Sequence, residues 1–181
     1  MRQLPKIRLL FLISLFIGSL YGSGPAIAEQ QAVYHIPPEK IASYILSKKG
    51  RKKIVVVWAS SSVRSRMRMP YLIKLETQVP GSVIMISVDQ NFQDLRNYMN
   101  HLGPLPFKMI VVKDTPGEDV DAAMRMIGAA PLLHSKYPTA IYFNEQDRVV
   151  HQGSLKLADL SNFFGIDLRE EQSPPDPKPE E

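Results

Sequence analysis

Short apolar runs along the chain alternate with longer stretches in which apolar residues return every three or four positions. The run Ile54–Trp58 contains three consecutive valines and is too short and too β-branched for a helix, so it predicts a strand buried on both faces. Residues 83–88 and 107–112 are further runs of this kind. Residues 139–143 and 148–151 enclose a polar turn and predict a β-hairpin.

Helical spacing fills the segments between these strands. Pro37-Pro38-Glu39 is predicted to open a first helix that Gly50 stops, and a second helix is predicted over 63–79 with Pro70 inside it. Three later amphipathic faces consist of Leu95, Tyr98, Met99 and Leu102, then Val120, Ala123, Met124 and Ile127, and finally Leu157, Leu160, Phe163 and Phe164. This alternation predicts an α/β fold with a sheet covered by helices on both faces.

The first 28 residues have the pattern of an export signal. Three basic residues precede the apolar run 9–20, which is shorter than the ~20 residues of a membrane-spanning helix. Ala26-Ile27-Ala28 then fits the small-x-small site of a signal peptidase. We therefore expect a signal peptide at 1–28 and an exported protein of the periplasm or cell envelope, attached to a membrane only where the signal is uncleaved.

The rest of the chain divides into one domain and a tail. Residues 29–36 are interpreted as a lead-in, and residues 37–168 hold all the predicted helices and strands. Residues 169–181 are rich in proline and glutamate and cannot bury enough apolar surface to fold, so they predict a disordered tail.

Composition excludes several kinds of chemistry. The chain has no cysteine, so it can form neither a disulfide nor a thiolate. Its 22 basic and 18 acidic residues give a net charge of +4, which falls to +1 without the three basic residues of the signal, so nucleic-acid binding gains no support. Metal ligands and other cofactors are not predicted, because no second ligand stands at metal-site spacing from any histidine, namely His35, His101, His134 and His151.

One constellation of residues resembles the thioredoxins. In that family a Trp-Ala pair ends a buried strand, a Cys-x-x-Cys motif follows two residues later, and a proline lies five residues beyond the second cysteine. Here Trp58-Ala59 ends the strand, Ser62-Val63-Arg64-Ser65 occupies the motif, and Pro70 has the expected spacing.

The second half of the domain carries the family's other signatures. Pro138-Thr139 resembles the dipeptide that places a cis-proline opposite the motif, and Gly153 follows the hairpin as usual. The stretch 86–89, the helix after it and the extra strand at 107–112 resemble the TlpA-like envelope thioredoxins, which carry a strand–helix insertion before the cis-proline. The resemblance implies a thioredoxin-like three-layer sandwich with a mixed central sheet, helices on both faces and a strand–helix insertion before the cis-proline loop.

The resemblance does not carry the family's activity over to this chain. Ser62 and Ser65 stand where the two cysteines belong, and an alcohol offers neither a stable thiolate nor a sulfur for a mixed disulfide. We therefore interpret Ser62 and Ser65 as a vestigial active site and predict no catalytic residue.

A binding groove is the function that the family fold leaves open. In thioredoxins it holds an extended segment of a partner by strand addition. The corresponding residues predicted to form it here are Trp58, Val63, Arg64, Tyr137, Pro138 and Thr139. We expect a non-catalytic chaperone or adaptor whose partner is an extracytoplasmic protein or peptide.

Three alternatives remain open at this point. The groove residues could only pack the fold, Ser62 could serve a glutathione-binding transferase, or the chain could be a Cys-to-Ser form of a redox-active TlpA-like protein. Arg64, Arg66 and Arg68 are expected to form a solvated surface, because residues two apart on a helix point in different directions.

Overall fold

The computed structural model describes residues 33–112, 118–132 and 137–169. The predicted signal peptide lies outside these residues, as does the predicted tail apart from Arg169. Within the described ranges, no helix has the length and apolar character needed to cross a membrane.

The described residues form six strands and five helices, and every predicted element is present with its bounds shifted by a few residues. In chain order they are β1 (Val33–Ile36), α1 (Pro38–Ser47), β2 (Lys53–Trp58), α2 (Val63–Gln78), β3 (Val83–Ser87), α3 (Phe92–Leu102), β4 (Met109–Val112), α4 (Glu118–Met126), β5 (Thr139–Phe143), β6 (Val149–Ser154) and α5 (Leu157–Phe164).

All six strands belong to one sheet with the order β1-β4-β3-β2-β5-β6. The first four strands of this order are parallel, whereas β5 runs antiparallel to both β2 and β6. The mixed sheet confirms the predicted α/β architecture. Because β2 lies inside the sheet, the segment that follows Trp58 emerges between β3 and β5.

Helices cover both faces of this sheet, and each face has its own apolar core. Alternate residues of β2 point to opposite faces, so Trp58 packs with α2, α3 and α5, whereas Val57 packs with α1 and α4. Leu168 is fully buried in the first of these cores, which ties the end of the domain to its centre.

The predicted lead-in contains a strand that the sequence pattern did not reveal. Val33–Ile36 pairs in parallel with β4 at the edge of the sheet, so these residues belong to the domain that was predicted to begin at 37. None of its four residues is fully buried. Val33 packs against one core and Ile36 against the other, but this short edge strand lacks the continuous apolar run that identified the interior strands.

An ion pair between the buried Lys53 and the partly exposed Asp147 holds together the end of the sheet at which β2 begins. The side chain of Lys53 is 0% exposed, and its ammonium group donates to the carboxylate of Asp147 and to the Lys48 carbonyl at 2.7 Å. The Asp147 carboxylate also accepts from the Gly50 N–H at 3.4 Å. The pair therefore joins the α1–β2 loop to the β5–β6 turn.

Tyr142 provides a first testable consequence of the packing. Its ring lies 5.2 Å from that of Phe163, but its hydroxyl is buried without a hydrogen-bond partner among the described residues. Burial raises the pKa of Tyr142 above its ordinary value, with a smaller contribution from Asp159.

We expect Tyr142→Phe to raise the free energy of unfolding by about 1 kcal/mol, because the ring packing remains and the desolvated hydroxyl is removed. Urea denaturation of both chains measures the difference. A clear loss of stability in the variant would mean that the hydroxyl has a partner in solution.

Candidate functional site

The loop between β2 and α2 is held in place by Asp89. Its carboxylate accepts hydrogen bonds from the Ser60 N–H at 2.8 Å, from the Ser60 hydroxyl at 2.7 Å and from the Ser87 hydroxyl at 2.6 Å. Asp89 follows β3, which neighbours β2, so the carboxyl ends of two parallel strands are joined here. This network fixes where α2 begins.

Ser62 caps α2 and ties it to the loop that precedes β5. Its hydroxyl oxygen accepts from the Ser65 N–H at 3.3 Å, the usual role of a helix N-cap serine, and its hydroxyl donates to the Tyr137 carbonyl at 3.2 Å. Ser65 is 2% exposed, and its hydroxyl accepts from the Ala59 N–H at 3.4 Å. The two serines thus act as structural hydrogen-bonding groups.

The loop before β5 brings β5 and the end of β6 next to α2. The Tyr137–Pro138 peptide bond is cis, and the Pro138 carbonyl accepts from the Leu155 N–H at 3.2 Å. The hydrogen bond between Leu155 and Pro138 holds Leu155 and Lys156 next to the first turns of α2.

These segments enclose a groove of ≈ 370 Å³ beside the serines, which we call the Pro138 groove. Its lining residues are Arg64, Met67, Arg68, Tyr137, Pro138, Ser154, Leu155 and Lys156. Three of them are cations and none is a carboxylate. The groove therefore combines an apolar lining with a positive rim.

Of the predicted groove residues, Arg64, Tyr137 and Pro138 line this cavity, whereas Trp58 and Thr139 do not. Trp58 is only 1% exposed: its indole N–H donates to the Met109 sulfur at 3.2 Å and its ring lies 5.8 Å from that of Tyr98. Thr139 is buried within β5. Both residues belong to the fold, because the inward face of a central strand leaves no path to solvent. Val63 is exposed at the start of α2 without being among the lining residues.

The predicted solvated surface agrees with the exposure of Arg64 and Arg66 and the partial exposure of Arg68, but the three side chains do not point in three separate directions. Arg64 and Arg68 are four residues apart, one helical turn, and both line the groove. Arg66 lies between them and turns away, donating to the Ser60 carbonyl at 2.7 Å. Considering only residues two apart had obscured that Arg64 and Arg68, four apart, lie on the same side of α2.

Sequence reasoning also missed Met67, Leu155 and Lys156 as groove residues. Met67 lies three residues after Arg64 and so shares its side of the helix, which the sequence could have indicated. Leu155 and Lys156 had no local signal, because their position depends on the pairing of β6 with β5 and on the hydrogen bond to Pro138.

A larger cavity of ≈ 710 Å³ lies elsewhere, between α5 and the segment that ends at Arg169. Its lining includes neither serine of the motif nor any residue of the Pro138 loop. We place the candidate site in the smaller groove, which adjoins both. No cluster of metal-ligating side chains is present in the described ranges.

No family model and no curated protein matches the chain by sequence. Solved structures match it by fold. A putative thiol:disulfide interchange protein DsbE from Chlorobium tepidum aligns at a TM-score of 0.50 and 16% identity, over 67% of this chain and 80% of that one. A DsbF homologue from Corynebacterium diphtheriae aligns at 0.52 and 14%, over 67% and 74%.

A third solved structure is a secreted disulfide oxidoreductase of Mycobacterium tuberculosis described as homologous to DsbE of E. coli. It aligns at a TM-score of 0.50 and 12% identity, over 66% of this chain and 84% of that one. Identities this low establish a shared fold and nothing about shared activity.

Proposed function

We propose that this chain, whose fold is thioredoxin-like and whose two cysteine positions hold serine, is a redox-inactive protein that binds an extended segment of another protein in the Pro138 groove. The observation that carries the proposal is the groove itself, which lies beside the vestigial motif and has a volume within the range of ligand sites. The binding would be non-catalytic, as in a chaperone or adaptor.

The side chains of the groove favour a segment with acidic and apolar residues. Arg64, Arg68 and Lys156 can pair with carboxylates, and Met67 can pack against apolar groups of varied shape. The carbonyls of Tyr137 and Pro138 already accept hydrogen bonds, so side-chain contacts offer more to recognition here than strand addition at these two groups.

The transferase alternative gains no support from the site. A serine that stabilises a bound thiolate must donate its hydroxyl proton to the sulfur, whereas the Ser62 hydroxyl donates to the Tyr137 carbonyl. We likewise propose that the protein acts outside the cytoplasm, since 1–28 has the charge and apolar pattern of an export signal.

Site-specific photocrosslinking in cells that produce the protein tests this proposal. A crosslinker at Met67, which is 66% exposed in the groove, is expected to trap a small set of proteins. Met126 on α4 is the matched control, because it is the same residue type and 69% exposed. Arg64→Glu with Arg68→Glu should remove the Met67 adducts, since the two substitutions reverse the charge of the groove.

A binding measurement with defined peptides completes the test. A fluorescent peptide with Glu at alternate positions should bind the wild-type chain at least about tenfold more tightly than the same peptide with Gln, and less tightly as salt increases. Identical adducts from Met67 and Met126, or equal binding of the two peptides, would contradict the proposal.

A further inference from the structure

Charge is distributed very unevenly along this chain. Residues 40–75, between Glu39 and Glu76, contain ten lysines and arginines and no aspartate or glutamate. Five of these cations lie within the six residues 48–53. The counter-charges of these lysines and arginines must come from outside the segment, either from carboxylates elsewhere in the fold or from a ligand.

Part of this charge surrounds a second cavity at the end of the sheet where β2, β3 and β4 begin. We call it the basic pocket; it measures ≈ 330 Å³. Its lining residues are Tyr44, Ser47, Lys48, Lys49, Arg51, Glu76, Gly81, Val83, Ile84, Pro106, Phe107 and Lys108. Since the motif follows the other end of β2, the six residues of this strand, about 20 Å, separate the basic pocket from the Pro138 groove.

The cations of the basic pocket come from separate parts of the chain. Lys48, Lys49 and Arg51 belong to the α1–β2 loop, and Lys108 immediately precedes β4. The fold therefore brings together like charges that are ~60 residues apart in sequence, an arrangement that costs free energy unless an anion compensates for it.

The carboxylates nearby already have other partners. Glu76 accepts hydrogen bonds from the Gly81 N–H at 2.6 Å and from the Val83 N–H at 2.8 Å, which fixes the turn before β3. Asp147 binds the buried Lys53, and the positive charge of Lys49 also helps to lower the pKa of Asp147. Of the ion pairs between described residues, none involves Lys48, Arg51 or Lys108.

Neutral groups position these three cations. The Lys48 ammonium lies 5.5 Å from the ring centre of Tyr44, and the Lys108 ammonium lies 4.5 Å from that of Tyr34. One guanidinium nitrogen of Arg51 donates to the Pro80 carbonyl at 3.3 Å. Aromatic faces and a carbonyl orient a cation without neutralising it, so its charge stays available to a ligand.

We propose that the basic pocket is a binding site for a phosphate-type oxyanion carried by a small molecule or by a phospholipid headgroup. A phosphate carries up to two negative charges on several oxygens. It can therefore accept hydrogen bonds from Arg51, Lys48 and Lys108 at once. A single carboxylate would balance only one of the three cations. The site is remote from the Pro138 groove and does not depend on the function proposed for it.

The test uses the full chain and two probes that separate the sources of the phosphate. Glycerol phosphate, followed by isothermal titration calorimetry, represents a free ligand. Vesicles of phosphatidylglycerol, compared in sedimentation with vesicles of phosphatidylcholine, represent a headgroup; an apolar leader would associate with both lipids alike. The test variant is Arg51→Gln with Lys108→Gln. The control variant is Arg96→Gln with Arg125→Gln, which removes two exposed cations from α3 and α4.

We expect at least one probe to bind the wild-type chain, and the test variant to bind it about tenfold more weakly or worse, with the control variant unchanged within about twofold. Thermal unfolding of all three chains verifies that the substitutions leave the fold intact. Absence of binding to both probes would overturn the proposal, and so would an equal loss in the control variant. Neither result would bear on peptide binding at the Pro138 groove.

Discussion

Replacement of both Ser62 and Ser65 by cysteine is expected to produce a chain that forms an intramolecular disulfide under mild oxidation. The Ser62 hydroxyl oxygen lies 3.3 Å from the Ser65 nitrogen at the first turn of α2, where residues three apart are close enough for a disulfide. Position 62 is half-buried and position 65 is buried. The thiol at 62 would therefore be accessible to a partner, and the thiol at 65 would attack the resulting mixed disulfide.

The thiol at position 62 should be reactive because it caps a helix. The positive end of the helix dipole and the nearby Arg64 lower the pKa of a thiol at this place. Insulin reduction in the presence of dithiothreitol measures the gain, from no activity above background in the wild-type chain to turnover in the variant. Loss of the serine cap would lower the free energy of unfolding by about 1 kcal/mol.

A second cysteine pair controls for the mere presence of two thiols. Ser43→Cys with Ser47→Cys places exposed thiols four residues apart on α1, far from the motif. It should be alkylated in full after mild oxidation, whereas the pair at 62 and 65 should resist alkylation until it is reduced. Equal alkylation of both variants would show that the motif has been aligned wrongly with the thioredoxins.

The second large effect concerns the ion pair between Lys53 and Asp147. Asp147→Asn is expected to lower the midpoint of thermal unfolding by about 5–10 °C, because it leaves the ammonium group of Lys53 buried without its counter-charge. Asparagine tolerates the positive φ of 59° at this position, so the substitution tests the charge and not the backbone. Differential scanning calorimetry provides the measurement.

Adding Lys53→Met to this variant should recover at least half of the loss. Methionine has a similar volume and needs no counter-charge, so the double variant removes the unpaired charge that harms the single one. If the double variant unfolds below the single one, the packing of Lys53, and not its charge, is the larger contribution.

Acid should weaken the same interaction in the wild-type chain. The hydrogen bond from Lys53 holds the pKa of Asp147 below its ordinary value of 3.8. Its contribution to stability is therefore complete above about pH 4 and is lost as the pH falls through the lowered value. The stability difference between wild-type and Asp147→Asn chains should shrink over that interval.

The fold could be predicted from the sequence because its interior strands are continuous apolar runs rich in β-branched residues. Ile54–Trp58 and the parallel strands β3 and β4 are continuous apolar runs, and the spacing from Trp58 through Ser62 and Ser65 to Pro70 identified the fold. β1 was not predicted, because none of its residues is fully buried and no apolar run marks it in the sequence.

The site could be predicted only in outline. Arg64, Tyr137 and Pro138 line the Pro138 groove, as expected of residues that adjoin the motif and the loop opposite it. Trp58 was misassigned because the sequence does not show that α2, α3 and α5 bury its side chain completely at the end of β2. Lys156 and the cations of the basic pocket meet through tertiary contacts between segments far apart in the chain, which periodicity does not encode.

The hydrogen bond from Ser62 to the Tyr137 carbonyl has a consequence for how the protein responds to its surroundings. In a thiol–disulfide enzyme the corresponding position changes covalent partner as the oxidant level changes, and the groove changes with it. A hydroxyl has no such second state. Peptide binding at the Pro138 groove, as proposed, should thus have the same affinity in oxidising and reducing media, because the chain contains no cysteine.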